Sequence, residues 1–180
     1  TGYYLARVLD AGQERVGVAL DLSKHAARRA ARAHPRIGAA VCDTWVGVPV
    51  CDGAAGVVLD IFAPRNGAEM ARILARGGRA IVVTPTARHL RELVDRLGLL
   101  SVDARKPERV ADQLEPFLSL VDDHAYEQAL RLGADTVEQV VWMGPSAWHT
   151  DASSLGEAIA GLGELVTVTV SVRVTAWERR

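Results

Sequence analysis

Apolar and polar positions fall in short blocks along this chain, and the block lengths predict an ordered series of helices and strands. Leu5, Val8 and Leu9 recur at helical spacing and Gly12 follows them, which predicts a first helix over residues 3–11. Val16 to Leu20 is an apolar run of strand length that ends in a single acid, Asp21. Ser23 is placed to cap a helix running to about Ala33, and Pro35 closes it. Ile37–Cys42 and Gly56–Ile61 repeat the strand pattern, each with an acid at or near its end, Asp43 and Asp60. Met70, Ile73 and Leu74 form the stripe of a further helix, Gly77-Gly78 breaks it, and Arg79–Val83 is a strand stopped by Pro85. Leu90, Leu93, Val94 and Leu97 then define a helix that Thr86 is placed to cap. This alternation predicts βαβ units and a doubly wound, largely parallel sheet with helices on both faces.

The last third reads differently. Residues 98–116 form a polar, Pro-containing connection suited to cover a cleft, and Phe117–His124 reads as a strand. Asp135-Thr136-Val137-Glu138 has the form of a capping box opening a short helix that Gly144-Pro145 ends, and residues 152–161 suit a small Gly-interrupted helix. Val166, Val168, Val170, Val172 and Val174 alternate with polar residues, the period of a half-buried and often antiparallel closing strand. No repeat or domain boundary stands out, so residues 1–180 read as one α/β domain with a sizeable core.

Composition narrows the options only a little. The formal net charge of -1 supplies no global field toward nucleic acid, so any such binding has to come from a local patch. Lys24 and Lys106 are the only lysines, a bias that reflects a GC-rich genome better than phosphate chemistry, and the arginines on the second helix read as a solvated face. Cys42 and Cys51 lack a C-x-x-C spacing or a neighbouring histidine cluster, so no metal site is expected here and the thiols read as those of a cytoplasmic protein. No apolar run approaches a membrane span and no signal peptide is visible, so no membrane contact is expected.

Chemistry concentrates at the predicted strand ends, where open α/β sheets bind ligands. Asp21 is placed to accept from the ribose hydroxyls of an adenosine-containing cofactor, and Asp43 from an adenine amine, against the alternative that both are solvated strand ends. Gly2, before the first helix, is a weaker candidate for close backbone approach to that ligand. In Asp60-Ile61-Phe62-Ala63-Pro64-Arg65 the acid, the ring and the proline suit holding a planar base, with core capping by Phe62 an equal alternative. Arg88 and His89 lie at a helix start where an anion or RNA phosphate could dock, and Trp142 to His149 gathers two indoles, Trp142 and Trp148, that suit base stacking or core packing. No hydrolytic triad and no phosphate-loop Gly-Lys-Ser/Thr is present.

Leu74-Ala75-Arg76-Gly77-Gly78-Arg79 resembles the bend before the fifth strand of class I S-adenosylmethionine-dependent methyltransferases. More narrowly, Gly2-Tyr3-Tyr4, Leu20-Asp21-Leu22-Ser23-Lys24, Phe62-Ala63-Pro64, Thr84-Pro85 with Arg88-His89-Leu90, and Met143-Gly144-Pro145-Ser146-Ala147 resemble the 23S ribosomal RNA (guanine-N1)-methyltransferases, including the tylosin-resistance type. The resemblance implies a Rossmann-like class I sheet with an antiparallel closing strand, and methyl transfer from S-adenosylmethionine to N1 of a guanine in 23S ribosomal RNA, with macrolide resistance as a biological role. It implies cofactor binding by Gly2, Tyr3, Asp21, Leu22, Asp43 and Thr44, catalysis by Asp60, Phe62 and Pro64, and RNA contact by Arg65, Arg88, His89 and Trp148. It also implies an amino-terminal zinc module, which alone would hold zinc, and a first strand of which Gly2 would end the Gly-rich loop. Neither is found before Thr1, so the chain is expected to be an amino-terminally incomplete methyltransferase domain, whose exposed strand edges would allow a homodimer. A small-molecule methyltransferase, a non-catalytic module and a dinucleotide oxidoreductase stay as alternatives at this point.

Overall fold

A computed structural model describes residues 1–12, 14–103, 105–144 and 152–180. The elements are α1 (Tyr3–Asp10), β1 (Gly17–Asp21), α2 (Lys24–Ala31), β2 (Ile37–Val41), β3 (Ala55–Ile61), α3 (Gly67–Ile73) and β4 (Leu74–Pro85). They are followed by α4 (Arg91–Leu97), α5 (Lys106–Leu114), β5 (Leu118–Gly133), α6 (Ala134–Met143), α7 (Ala152–Ala160) and β6 (Leu165–Arg179). β1 and β2 form a parallel pair in the register Gly17 to Ile37 through Asp21 to Val41. The remaining strands form a sheet in the order β3-β4-β6-β5. The expected α/β alternation is therefore present, but the strands are shared between two sheets.

The chain divides into two compact units. One comprises Thr1–Val82, Val110–Asp122 and Ala176–Arg180, and the other Val83–Arg109 and Asp123–Thr175. In the first, Met70, Leu74, Ala80, Val82, Val110, Leu114, Leu118 and Trp177 pack as one buried cluster. In the second, Leu93 packs with Val137 and Val141 of α6, Leu155 and Ile159 of α7, and Val166 and Val168 of β6. Each fully buried leucine contributes roughly 1.5–3 kcal/mol through the apolar area it removes from water.

Local sequence explains most of the first unit. Ser23 Oγ accepts from the Ala26 amide at 3.4 Å and so opens α2 as expected. Arg36 closes α1 from a distance, donating to the carbonyls of Gly12 at 2.7 Å and Arg15 at 2.9 Å, and also to Leu9. The bond to Leu9 satisfies a carbonyl of the last turn of α1, and those to Gly12 and Arg15 hold the connection that follows it. Val18 of β1 is 55% exposed and the neighbouring Val16 80%. Such exposure is unusual for an apolar strand of a parallel sheet: Val16 and Val18 lie two positions apart on one face, and that face of the strand is open.

Five local expectations are corrected. Gly77-Gly78 does not end α3, because Leu74 already adopts extended backbone and β4 begins there. The two glycines instead bend β4: Gly77 has φ +73, and a Cβ on Gly78 would meet the carbonyls of Ala55, Gly56 and Ala75 at 3.0 Å. Thr86 does not cap α4, whose N-cap is Leu90 in left-handed backbone; Thr86 Oγ1 accepts from the Arg88 amide at 3.2 Å and bonds Ser171 Oγ at 2.6 Å. The 98–116 connection contains α5, which buries Val110 and Leu114 one turn apart. β5 continues nine residues beyond the expected His124 to Gly133, because its exposed residues supply no apolar face to mark its end. The Asp135 box is not used either, since Gly133 occupies the N-cap of α6 without a side-chain bond.

Candidate cofactor and catalytic site

The register of the parallel pair brings the first two acids to neighbouring strand ends. Asp21 closes β1 opposite Val41, and the Cys42 amide donates to the Asp21 carbonyl at 3.2 Å. Asp43 follows immediately. The Cys42 thiol records both acids: burial pushes its proton affinity up, and the charges of Asp43 and then Asp21 push it further. Asp21 Oδ1 accepts from the Ser23 amide at 2.8 Å, and Asp43 Oδ1 from the Trp45 amide at 2.9 Å. Neither acid's second oxygen has a hydrogen-bond donor among the described residues, so each keeps acceptor capacity toward a ligand. A ribose diol and an adenine amine are donors of the kind these oxygens lack.

Asn66 at the N-cap of α3 and Glu69 and Arg72 within the helix, none of them singled out by the local sequence pattern, hold the loop carrying Asp43 and Thr44. Asn66 caps α3 by accepting from the Glu69 amide at 3.2 Å, and its amide nitrogen donates to the Thr44 carbonyl at 3.0 Å. Glu69 accepts from the Val48 amide at 2.7 Å. Arg72 donates to the carbonyls of Val48 and Val50, both at 2.8 Å, to Asp52 at 2.6 Å and to Glu69 at 2.7 and 2.8 Å. Hydrogen bonding by Arg72 and the Val48 amide lowers the Glu69 carboxyl to about 2. Charge-assisted bonds of this kind are the stronger class, and here they fix backbone across 43–53.

The remaining cofactor candidates have separate local explanations. Gly2 has φ +85, and a Cβ there would lie 2.9 Å from both Ala30 Cα and Ala33 Cβ. The close approach that requires glycine is therefore that of α1 to α2. Tyr3 and Leu22 are 60% and 72% exposed, and Tyr3 lies edge-on to Tyr4 with Arg7 over its ring at 5.6 Å.

Asp60, near the end of β3, is 3% exposed, and its Oδ1 has no hydrogen-bond partner. Arg65 Nη1 lies 3.8 Å from that oxygen. Burial raises the Asp60 carboxyl to about 7, against the opposing pull of Arg65 and the Ala63 amide. Two residues on, Phe62 is half exposed with φ +55, a left-handed conformation that costs a bulky residue of order 1–3 kcal/mol. Half-exposure excludes Phe62 as a buried core cap. Pro64 is exposed, and Arg65 donates to the Ala63 carbonyl at 3.0 Å and to Gln113 Oε1 at 3.1 Å. Arg65, expected at RNA, is thus mostly turned inward on its own loop, with a side chain 13% exposed.

The second unit holds Arg88 and His89. Arg88 is exposed and pairs with Glu127 at 3.0 Å. His89 is half-buried, its Nδ1 accepts from the Ser171 amide at 3.2 Å, and burial lowers its proton affinity, so the ring is neutral near pH 7. Trp142 is 40% exposed and donates to Glu138 at 3.3 Å, which excludes the core-packing expectation; among the described residues the buried indole is Trp177. Trp148 lies outside the described residues. Among the described residues, no three His, Cys, Asp or Glu side chains are grouped to hold a metal ion, and no helix is long and apolar enough to cross a membrane.

This is the fold of the class I methyltransferases. A Bacillus halodurans protein provisionally named a methyltransferase superimposes with a TM-score of 0.59 at 12% identity, over 98% of this chain and 88% of its own. The [4+2]-cyclase SpnF superimposes at 0.53 and 11% identity, over 98% and 80%, so likeness of fold leaves the reaction open. Sequence comparison is narrower. The chain is 50% identical to the 23S rRNA (guanine(748)-N(1))-methyltransferase of Streptomyces fradiae, over 97% of this chain and 62% of that protein. It is 53% identical to a Micromonospora griseorubida protein with the provisional name 23S rRNA (guanine-N(1)-)-methyltransferase, over 98% of this chain and 60% of that one. No family model matches. The chain thus spans about three fifths of the length of these curated homologues.

Proposed function

We propose that this chain is the methyl-transferring part of an S-adenosylmethionine-dependent enzyme that modifies N1 of a guanine in 23S ribosomal RNA. The observation that carries the reading is 50% identity over 97% of the chain to an enzyme named for that reaction. The strand-end acids support it independently. Asp21 would take the cofactor's ribose and Asp43 its adenine, with Leu22 and Thr44 next to them in the chain, whereas Gly2 packs against Ala30 and Ala33 at the other end of α2 and, like Tyr3, is assigned by the resemblance alone. Bound S-adenosylmethionine would supply a sulfonium methyl for guanine N1, and Asp60 would take the N1 proton. Asp60 suits that acceptor role because Oδ1 is unpartnered and its protonation midpoint lies near the working pH. Phe62 offers its exposed ring for stacking on the base, and Pro64 stiffens the turn that carries it.

On this reading the RNA partner is the ribosome's large-subunit RNA, the setting is the cytoplasm, and methylation bears on macrolide resistance. Arg88 and His89 would contact the RNA, and the resemblance assigns Trp148, outside the described residues, the same role. Zinc, if the enzyme uses it, is held by a module outside residues 1–180. β1 pairs with β2 on one side only, and its other backbone edge supports completion of the sheet by a further strand, or pairing in a homodimer. The test is primer extension on 23S ribosomal RNA incubated with the chain and S-adenosylmethionine. A methyl on N1 blocks Watson–Crick pairing, so the reading predicts a cofactor-dependent stop at a single guanine, with guanine 748 the first position to inspect. An extension profile unchanged by the cofactor contradicts it.

A further inference from the structure

The Asp60–Pro64 turn is held by a residue that the RNA-contact assignment leaves in the wrong place. Arg65 makes three contacts, all to its own unit: Nη1 to the Ala63 carbonyl at 3.0 Å, Nη1 to Asp60 Oδ1 at 3.8 Å, and Nε to Gln113 Oε1 at 3.1 Å. Gln113 belongs to α5, whose Val110 and Leu114 are buried in the core. α5 is pressed against the start of α3, where a Cβ on Gly67 would lie 2.2 Å from the Gln113 carbonyl. The guanidinium is thereby tied to a rigid helix at one end and to the turn at the other.

From this geometry we infer that Arg65, fixed by Gln113, is a positioning residue for methyl transfer: it holds the Ala63 carbonyl and the buried Asp60 carboxyl in one arrangement and leaves Asp60 Oδ1 without a hydrogen-bond partner. The inference rests on the reading of Asp60 as proton acceptor. The distance from Nη1 to Oδ1 exceeds a hydrogen bond, so Arg65 stabilises the carboxylate through charge without occupying the oxygen. It is the charged group that acts on Asp60; burial and the Ala63 amide are the other influences. Phe62 depends on the same clamp, because its left-handed backbone persists only where the surroundings impose it.

Two readouts separate positioning from simple stability. The first is an NMR titration of the Asp60 carboxyl in the wild-type chain, Arg65→Gln and Gln113→Ala, assigned with Asp60→Asn. Loss of the Arg65 charge raises the Asp60 midpoint by about one pH unit or more, and Gln113→Ala moves it in the same direction by less. The second is the pH profile of methyl transfer to 23S ribosomal RNA, whose acidic limb moves up by the same interval in Arg65→Gln. Arg65→Lys restores the limb in part, because it returns the charge without the fork. An Asp60 midpoint unmoved by Arg65→Gln overturns the inference. A wild-type chain that shows the coupled titration but transfers no methyl to the RNA overturns the functional reading instead.

Discussion

Glu69 and Arg72 lie one turn apart on α3 and share two hydrogen bonds, Nε to Oε1 at 2.7 Å and Nη2 to Oε2 at 2.8 Å. The pair faces the loop after β2, where Glu69 accepts from the Val48 amide and Arg72 donates to the Val48 and Val50 carbonyls. Local i, i+3 pairing thus presents a preformed fork to a segment some twenty residues away. The adenine-side acid, Asp43, sits on backbone that this fork and Asn66 fix.

Arg72→Ala leaves the Val48 and Val50 carbonyls without the guanidinium donor and the Glu69 carboxylate with the Val48 amide but no Arg72 bond. The expected loss is about 1–3 kcal/mol in urea unfolding, together with weaker binding of S-adenosylhomocysteine. A variant that loses stability but binds the ligand as wild type would separate the loop from the cofactor site.

The pH dependence of Glu69 has a definite sign. Its folded value, about 2, lies below the usual carboxylate range. Its contribution is therefore present above about 4.5 and is lost as pH falls toward 2. Unfolding curves of wild type and Glu69→Gln should converge through that interval.

Asp60 has the opposite sign. With the folded carboxyl at about 7, the native state keeps a proton that the unfolded chain gives up near pH 4. Stability from this group falls as pH rises from about 4 to 7, by about 1.4 kcal/mol per pH unit, and is level above that. Asp60→Asn removes the slope, which the difference between the two stability–pH curves measures directly.

Gly67 tests the seating of α5. Gly67→Ala places a methyl group against the Gln113 carbonyl and Phe117, where backbone cannot yield cheaply, so a loss of about 1–3 kcal/mol is expected by thermal or urea unfolding. Because Gln113 anchors Arg65, the same variant should also shift the Asp60 titration.

Asp21 tests the ribose contact. Asp21→Ala removes a charged acceptor worth about 1.5–3 kcal/mol to a bound hydroxyl, which corresponds to about 10- to 100-fold weaker binding of S-adenosylhomocysteine by calorimetry. Equal affinity in the variant would remove Asp21 from the site.

Particular residues show why some of this was legible in the sequence. The Val16–Asp21 and Ile37–Asp43 runs each place a buried-type strand and an acid in one short window, so both strand ends could be read locally. α5 was hidden because Val110 and Leu114 are its only buried positions and Pro107 reads as a loop signal, although proline is tolerated in a helix's first turn. β5 was shortened because residues 119–131 are exposed throughout, leaving no buried face to impose the period of two. Arg72 could not be recognised as a hub, since its partners at 48, 50 and 52 meet it only after the loop folds back. The inward turn of Arg65 depends on Gln113, 48 positions away, and has no local signature.

The central claim, methyl transfer to guanine N1, is tested most directly by nucleoside mass analysis of 23S ribosomal RNA after incubation with the chain and isotopically labelled S-adenosylmethionine. The account predicts labelled 1-methylguanosine that is strongly reduced in Asp60→Asn, a variant that keeps cofactor affinity. Labelled methyl on any other atom, or none in the presence of saturable cofactor binding, would contradict it.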